Sequence, residues 1–107
     1  MVTVRASSTW DGPAVDILRV FAEPSPVSGA EVHDEDVVFY RALDEGEEPT
    51  GDITGVEIIG FLSFDRWDEL PSLSIRWQLP GWEPLSLPDL LKRKQQELQQ
   101  RHKSEVA

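Results

Sequence analysis

Cysteine is absent from this 107-residue chain, and histidine occurs only twice. Without thiols there is no disulfide scaffold, no thiol nucleophile and no Cys-ligated zinc or iron–sulfur site. Two histidines, His33 and His102, leave little material for a general base, and no G-x-S-x-G elbow accompanies either. Cations are scarce as well: 10 Lys+Arg stand against 20 Asp+Glu, for a net charge of -10. That balance argues against direct binding to nucleic acid or to an anionic membrane surface, because both demand basic patches. No apolar run approaches the ~20 residues of a membrane span. The start, Met1-Val2-Thr3-Val4-Arg5, lacks a signal-peptide pattern, so a cytoplasmic protein is the expectation. Asparagine is missing and Arg outnumbers Lys seven to three, which is the usage of a GC-rich bacterial genome.

What is present suits one small folded domain. Hydrophobic residues make up 39%, with four Trp and four Phe, enough to build a core. The charge is unevenly spread. Residues 1–86 hold 17 acids and 5 bases, a net of -12, while residues 87–107 hold 3 acids and 5 bases, a net of +2. The same boundary separates two hydrophobic periods. An acidic β-rich body over 1–86 and a C-terminal helix over 87–107 of the same domain are therefore expected.

Alternating apolar runs predict strands over Val2–Ala6, Ala14–Ala22, Asp36–Leu43 and Gly55–Leu62. Ser74–Leu79 alternates as well, with Ile75, Trp77 and Leu79 inward, and predicts an edge strand. Trp10-Asp11-Gly12-Pro13 reads as a turn, residues 23–29 as a Pro-rich loop, and residues 44–51 as an exposed acidic loop. Asp65 can cap a short helix near 65–70 that Pro71 stops. Ser86 is the expected N-cap of the final helix, with Pro88 in its first turn. Leu87, Leu90, Leu91 and Leu98 form its apolar stripe; beyond about residue 98 it should fray or project. Asp89–Arg93 and Glu97–Arg101 are spaced as i,i+4 pairs.

The fold class is α+β: a four- to five-stranded, mainly antiparallel sheet with the C-terminal helix packed on one face. The central strands are apolar on both faces, and one helix covers only one of them. A homodimer through the uncovered face is therefore expected.

Few residues offer chemistry. Glu31-Val32-His33-Asp34-Glu35-Asp36 mixes His and carboxylates, but it lacks the spacing of a cation loop and reads as a charged loop before a strand. Gly46, Gly51, Gly55 and Gly60 recur without a nearby lysine, so they serve turns and strand bends and not a phosphate. Asp16, Arg41 and Glu57 are charges inside apolar strands, with Arg19 a less central fourth; they must pair or reach solvent. Either they form structural ion pairs, or they build the floor of a small-ligand or acid/base pocket. Trp10 and Trp82 stand in turn contexts, where they close the core or anchor a partner. The cations Lys92, Arg93, Lys94, Arg101 and Lys103, with His102 among them, lack interleaved aromatics and read as a solvated helix face.

Val15-Asp16-Ile17-Leu18, Asp36 to Arg41 and Gly55-Val56-Glu57-Ile58 follow an order that resembles the YuzE-like domains of unknown function. The resemblance spans about residues 14–62 and departs in the 23–35 loop and after Phe64. It implies a small α+β domain and brings no established activity, catalytic residue or cofactor with it.

The functional expectation is a non-enzymatic module for a basic protein partner, with no cofactor and no metal. The acidic residues Glu31, Asp34, Glu35, Asp36, Asp44, Glu45, Glu47 and Glu48 would meet that partner. The alternative is a ligand-binding protein or enzyme built around Asp16, Arg41 and Glu57, with Trp10 and Trp82 as further binding candidates.

Overall fold

Six strands and one helix follow in chain order: β1 (Thr3–Trp10), β2 (Ile17–Ala22), β3 (Ser28–Val32), β4 (Val37–Leu43), β5 (Pro49–Ile59), β6 (Arg76–Gln78) and α1 (Leu87–Val106). Single 3-10 turns at Phe61–Ser63 and Trp67–Glu69 lie between β5 and β6. The computed structural model describes residues 3–24, 26–70 and 75–106. The expected start of the first strand at Val2, the helix stop at Pro71 and the last strand's start at Ser74 lie outside the described residues. So do the side chains of His102 and Lys103.

The strands form one sheet in the order β3-β4-β5-β2-β1-β6. β6 runs parallel to β1, and the other neighbours are antiparallel. The α+β class with a helix on one face stands; the expected four to five strands become six, in a mixed sheet. The additional strand is β3, taken from residues that read as loop and charged cluster. Ser28-Gly29-Ala30-Glu31-Val32 has little intrinsic strand preference, and pairing with β4 overrides it. β1 extends to Trp10, while β2 begins only at Ile17, because Gly12 and Asp16 take positive φ in the turn between them. The expected helix near 65–70 is a 3-10 turn over Trp67–Glu69.

Directly opposed residues share a face of the sheet. One row is Val37, Ile58, Leu18 and Trp10; the next is Phe39, Val56, Val20 and Ser8. This is the core face. Trp77, in register with Val4, fills it from β6 and is fully buried, as is Phe61 from the turn after β5. Leu87, Leu90, Leu91 and Leu98 of α1 are all buried with them, as the stripe predicts. The Ser86 Oγ accepts the Asp89 N–H at 3.3 Å, so the helix starts where its cap residue allows. The helix stays docked further than its thin stripe suggests. Gln95 Nε2 donates to the Phe61 and Phe64 carbonyls at 2.7 Å each, and Gln99 Nε2 donates to the Leu62 carbonyl at 2.8 Å. These bonds satisfy the carbonyls of the 3-10 turn after β5.

The opposite face carries the rows Val38, Glu57, Arg19, Thr9 and Tyr40, Gly55, Phe21, Ser7. Gly55 is required by its row. The Phe21 and Tyr40 rings meet at 4.9 Å, and a Cβ on Gly55 would lie 2.4 Å from Phe21 Cδ1. No helix among the described residues is long and apolar enough to cross a membrane.

Candidate functional site

Asp16, Arg41 and Glu57 do not converge. The Asp16 carboxylate accepts the Trp10 indole N–H at 3.0 Å and the Leu62 backbone N–H at 3.0 Å. Its backbone carbonyl accepts Gly60 and Phe61 N–H. Asp16 therefore ties the β1–β2 turn to the corner after β5. Glu57 lies on the uncovered face and accepts Arg19 Nε at 2.7 Å, while Arg19 Nη1 donates to Asp11 at 2.8 Å. These two acids, Asp11 first, hold the Arg19 guanidinium above its ordinary value. Arg41 donates to Glu31 across β3–β4 and to the Gly51 carbonyl at 3.4 Å. Glu57 is opposite Val38 and Arg41 is opposite Ile53, so the two sit about 10 Å apart along β4. Surface depressions of about 390 and 330 Å³ lie elsewhere, and none of the three lines either. Arg19 is the hub that strand patterning placed on the margin; only the register with Glu57 identifies it.

Trp10 and Trp82 are half-buried and pack against the core. Trp82 lies under Arg93, whose guanidinium carbon is 4.5 Å from the ring centroid. Arg93 also donates to Glu83 at 2.6 Å, in place of the expected Asp89 pairing, and this lowers the Glu83 carboxyl below its usual range. Lys94 pairs with Glu97 at 3.2 Å, and Arg101 pairs with Glu97 at 3.0 Å, as the spacing predicts. Lys92 stands 6.0 Å from the Trp67 ring. These helix cations thus have partners within the chain.

The acidic residues fall into two groups. The turn between β3 and β4 brings Asp34 and Asp36 to Arg66, which donates to Asp34 at 2.5 Å and lies 3.4 Å from Asp36 and 3.6 Å from Glu69. Asp34 Oδ1 also accepts the Asp36 and Val37 N–H groups at 2.8 and 3.0 Å. Arg66 first, then the Asp36 N–H, holds the Asp34 carboxyl below its ordinary value of 3.8. His33 Nε2 is 3.7 Å from Glu69. His33, Asp34 and Glu69 bring ligand atoms within 4.8 Å of one another, the grouping of a cation site. Arg66 contacts two of those three carboxyl-bearing or imidazole groups, Asp34 and Glu69, so the cluster carries its own cation. Glu31, in β3, is paired with Arg41.

The second group is Asp44, Glu45, Glu47 and Glu48, in the turn between β4 and β5. Asp44 Oδ1 accepts the Gly46 and Glu48 N–H groups at 2.9 and 3.0 Å, and Glu47 takes φ of 61°. This hydrogen-bonded turn holds four exposed carboxylates together. Among the described residues no ion pair reaches any of them. Glu35 likewise has no ion pair among the described residues. No family model, curated protein or solved structure matches this chain.

Proposed function

We propose that this chain is a non-enzymatic interaction module that takes a basic protein partner on its acidic side. The observation that carries this reading is the β4–β5 turn, where Asp44, Glu45, Glu47 and Glu48 have no ion pair among the described residues. Four like charges within one turn repel each other, and a basic partner relieves that repulsion while gaining on-rate. The paired acids Glu31, Asp34 and Asp36 contribute less, because Arg41 and Arg66 already neutralise part of their charge.

The test is to identify a bound partner at low salt and measure its affinity across a salt series. Replacing Glu45, Glu47 and Glu48 by Gln should weaken a basic partner by about tenfold and flatten the salt dependence. A partner that is not basic, or one that binds the neutralised variant unchanged across the salt series, overturns the reading.

A ligand pocket around Asp16, Arg41 and Glu57 is the less supported alternative, because the three have separate partners and do not converge. Homodimerisation draws support from one feature. Ile17, Val38 and Ile59 gather on the uncovered face at one end of β2, β4 and β5, with Ile59 38% exposed. Sedimentation giving a monomer across the accessible concentration range removes that reading.

A further inference from the structure

β3 ends the sheet, and its outer side has no neighbouring strand among the described residues. Its register fixes which backbone groups face outward. His33 N–H donates to Val37 O, and Leu43 N–H donates to Val27 O. Pairs of this antiparallel ladder alternate, so Val27, Gly29, Glu31 and His33 bond inward to β4. Ser28, Ala30 and Val32 therefore direct their N–H and C=O groups away from the sheet. Ala30 and Val32 are exposed, Val32 at 72%. No lysine or proline lies within β3, and among the described residues no helix covers its edge, so these protections of an edge strand are absent.

Charge says what such an edge receives. The β3–β4 turn, with Asp34, Glu35 and Asp36, lies at one end of β3. The β4–β5 turn lies near the other, because Val27 bonds to Leu43 beside Asp44. Glu31 projects between them on the helix-bearing face. We infer that the free edge of β3 accepts an extended basic segment of the partner as a seventh strand, bonded to Ser28, Ala30 and Val32. The segment alternates: basic side chains beside Glu31 and toward the two acidic turns, small or apolar ones beside Ala30 and Val32. A second copy of this chain is the poorer occupant. Antiparallel self-pairing centred on Ala30 sets the β3–β4 turn of one copy against the acidic β4–β5 turn of the other.

This inference rests on the basic-partner reading and specifies its geometry. The probe is a short peptide of alternating Lys and Val, compared with the same peptide N-methylated at alternate residues to block one bonding edge. Both methylation registers are made. Amide exchange is followed residue by residue. Bound peptide should slow exchange at Ala30 and Val32 and leave Gly29 and Glu31, already bonded inward, unchanged. One methylation register should weaken binding by about tenfold or more. Ala30→Pro should do the same while circular dichroism stays unchanged, since its lost N–H faces outward. If both methylated peptides bind as tightly as the parent with the same salt dependence, strand addition is overturned while the basic-partner reading survives. If no basic peptide binds, both fail. Protection of Ala30 and Val32 that grows with protein concentration in the absence of peptide assigns the edge to a second copy and overturns the proposal.

Discussion

Asp16 sits at a left-handed φ of 54°, where Asp is better tolerated than most residues. Its carboxylate accepts two hydrogen bonds from groups that are half-buried, the Trp10 indole and the Leu62 amide. Asp16→Ala leaves both donors unmatched and puts Cβ in an unfavourable backbone region. It should cost about 2–4 kcal/mol in denaturant unfolding. Asp16→Asn keeps an acceptor and the φ preference, so it should cost about half as much. Asp34 is a residue whose charge stabilises the fold over a definable pH window. Its carboxyl is held below the ordinary 3.8 by Arg66 and the Asp36 amide. A carboxylate held low in the folded state adds stability above its unfolded value and loses it as pH falls through its folded value. Stability should therefore drop below about pH 4, and Asp34→Asn should make that acid limb shallower. Chemical denaturation at a series of pH values measures both slopes. Neither role was legible in the sequence beyond the need of Asp16 to find a partner. Its acceptor duty to Leu62 spans 46 residues, and no local pattern encodes such a distance.

At the scale of elements, the helix was the most legible part. Ser86, the leucine spacing and Pro88 state its start and its buried side locally, and the structure follows them. Its docked length was less legible, because Gln95 and Gln99 are polar and join the interface only through carbonyls exposed by the 3-10 turn at Phe61–Ser63. Strands β2, β4 and β5 were readable from their apolar alternation, but β2 begins three residues after the expected Ala14, and β5 runs from Pro49, inside the expected acidic loop, to Ile59 instead of from Gly55 to Leu62. β3 was not, since small and charged residues dominate it. The hint that was available is the hairpin frame, Val32 and Val37 on either side of a four-residue turn containing Asp34. Gly55 shows how an element depends on its neighbours. Gly55→Ala drives Cβ into the Phe21 ring, 2.4 Å away, with the Val20 carbonyl at 3.0 Å on another side. Thermal unfolding should show a loss of about 1–3 kcal/mol, and the double variant Gly55→Ala, Phe21→Ala should lose less than the sum of the two single changes.

The whole molecule carries its -10 charge unevenly. Exposed ion pairs contribute little each, whereas the four carboxylates of the β4–β5 turn, which have no ion pair among the described residues, act together. Added salt screens that repulsion more than it weakens the pairs. The midpoint of thermal unfolding should rise by a few degrees between low salt and about 0.5 M, and the Gln variant of Glu45, Glu47 and Glu48 should show a smaller rise. A midpoint that falls with salt in the parent chain reverses this ranking of pairs and repulsion. The sequence by itself determined the composition of the core, the apolar periods of the main strands, the capped helix and the excess of acid, because each is set by residues close together in the chain. Only the tertiary structure decided which acids are neutralised. Glu57 takes Arg19 through a pairing of β2 with β5, Glu31 takes Arg41 through β3 with β4, and Asp34 takes Arg66 from 32 residues away. The same long-range pairing decided that β3 exists and that its outer edge is open. Charge can be counted along a chain, but its compensation depends on which strands become neighbours.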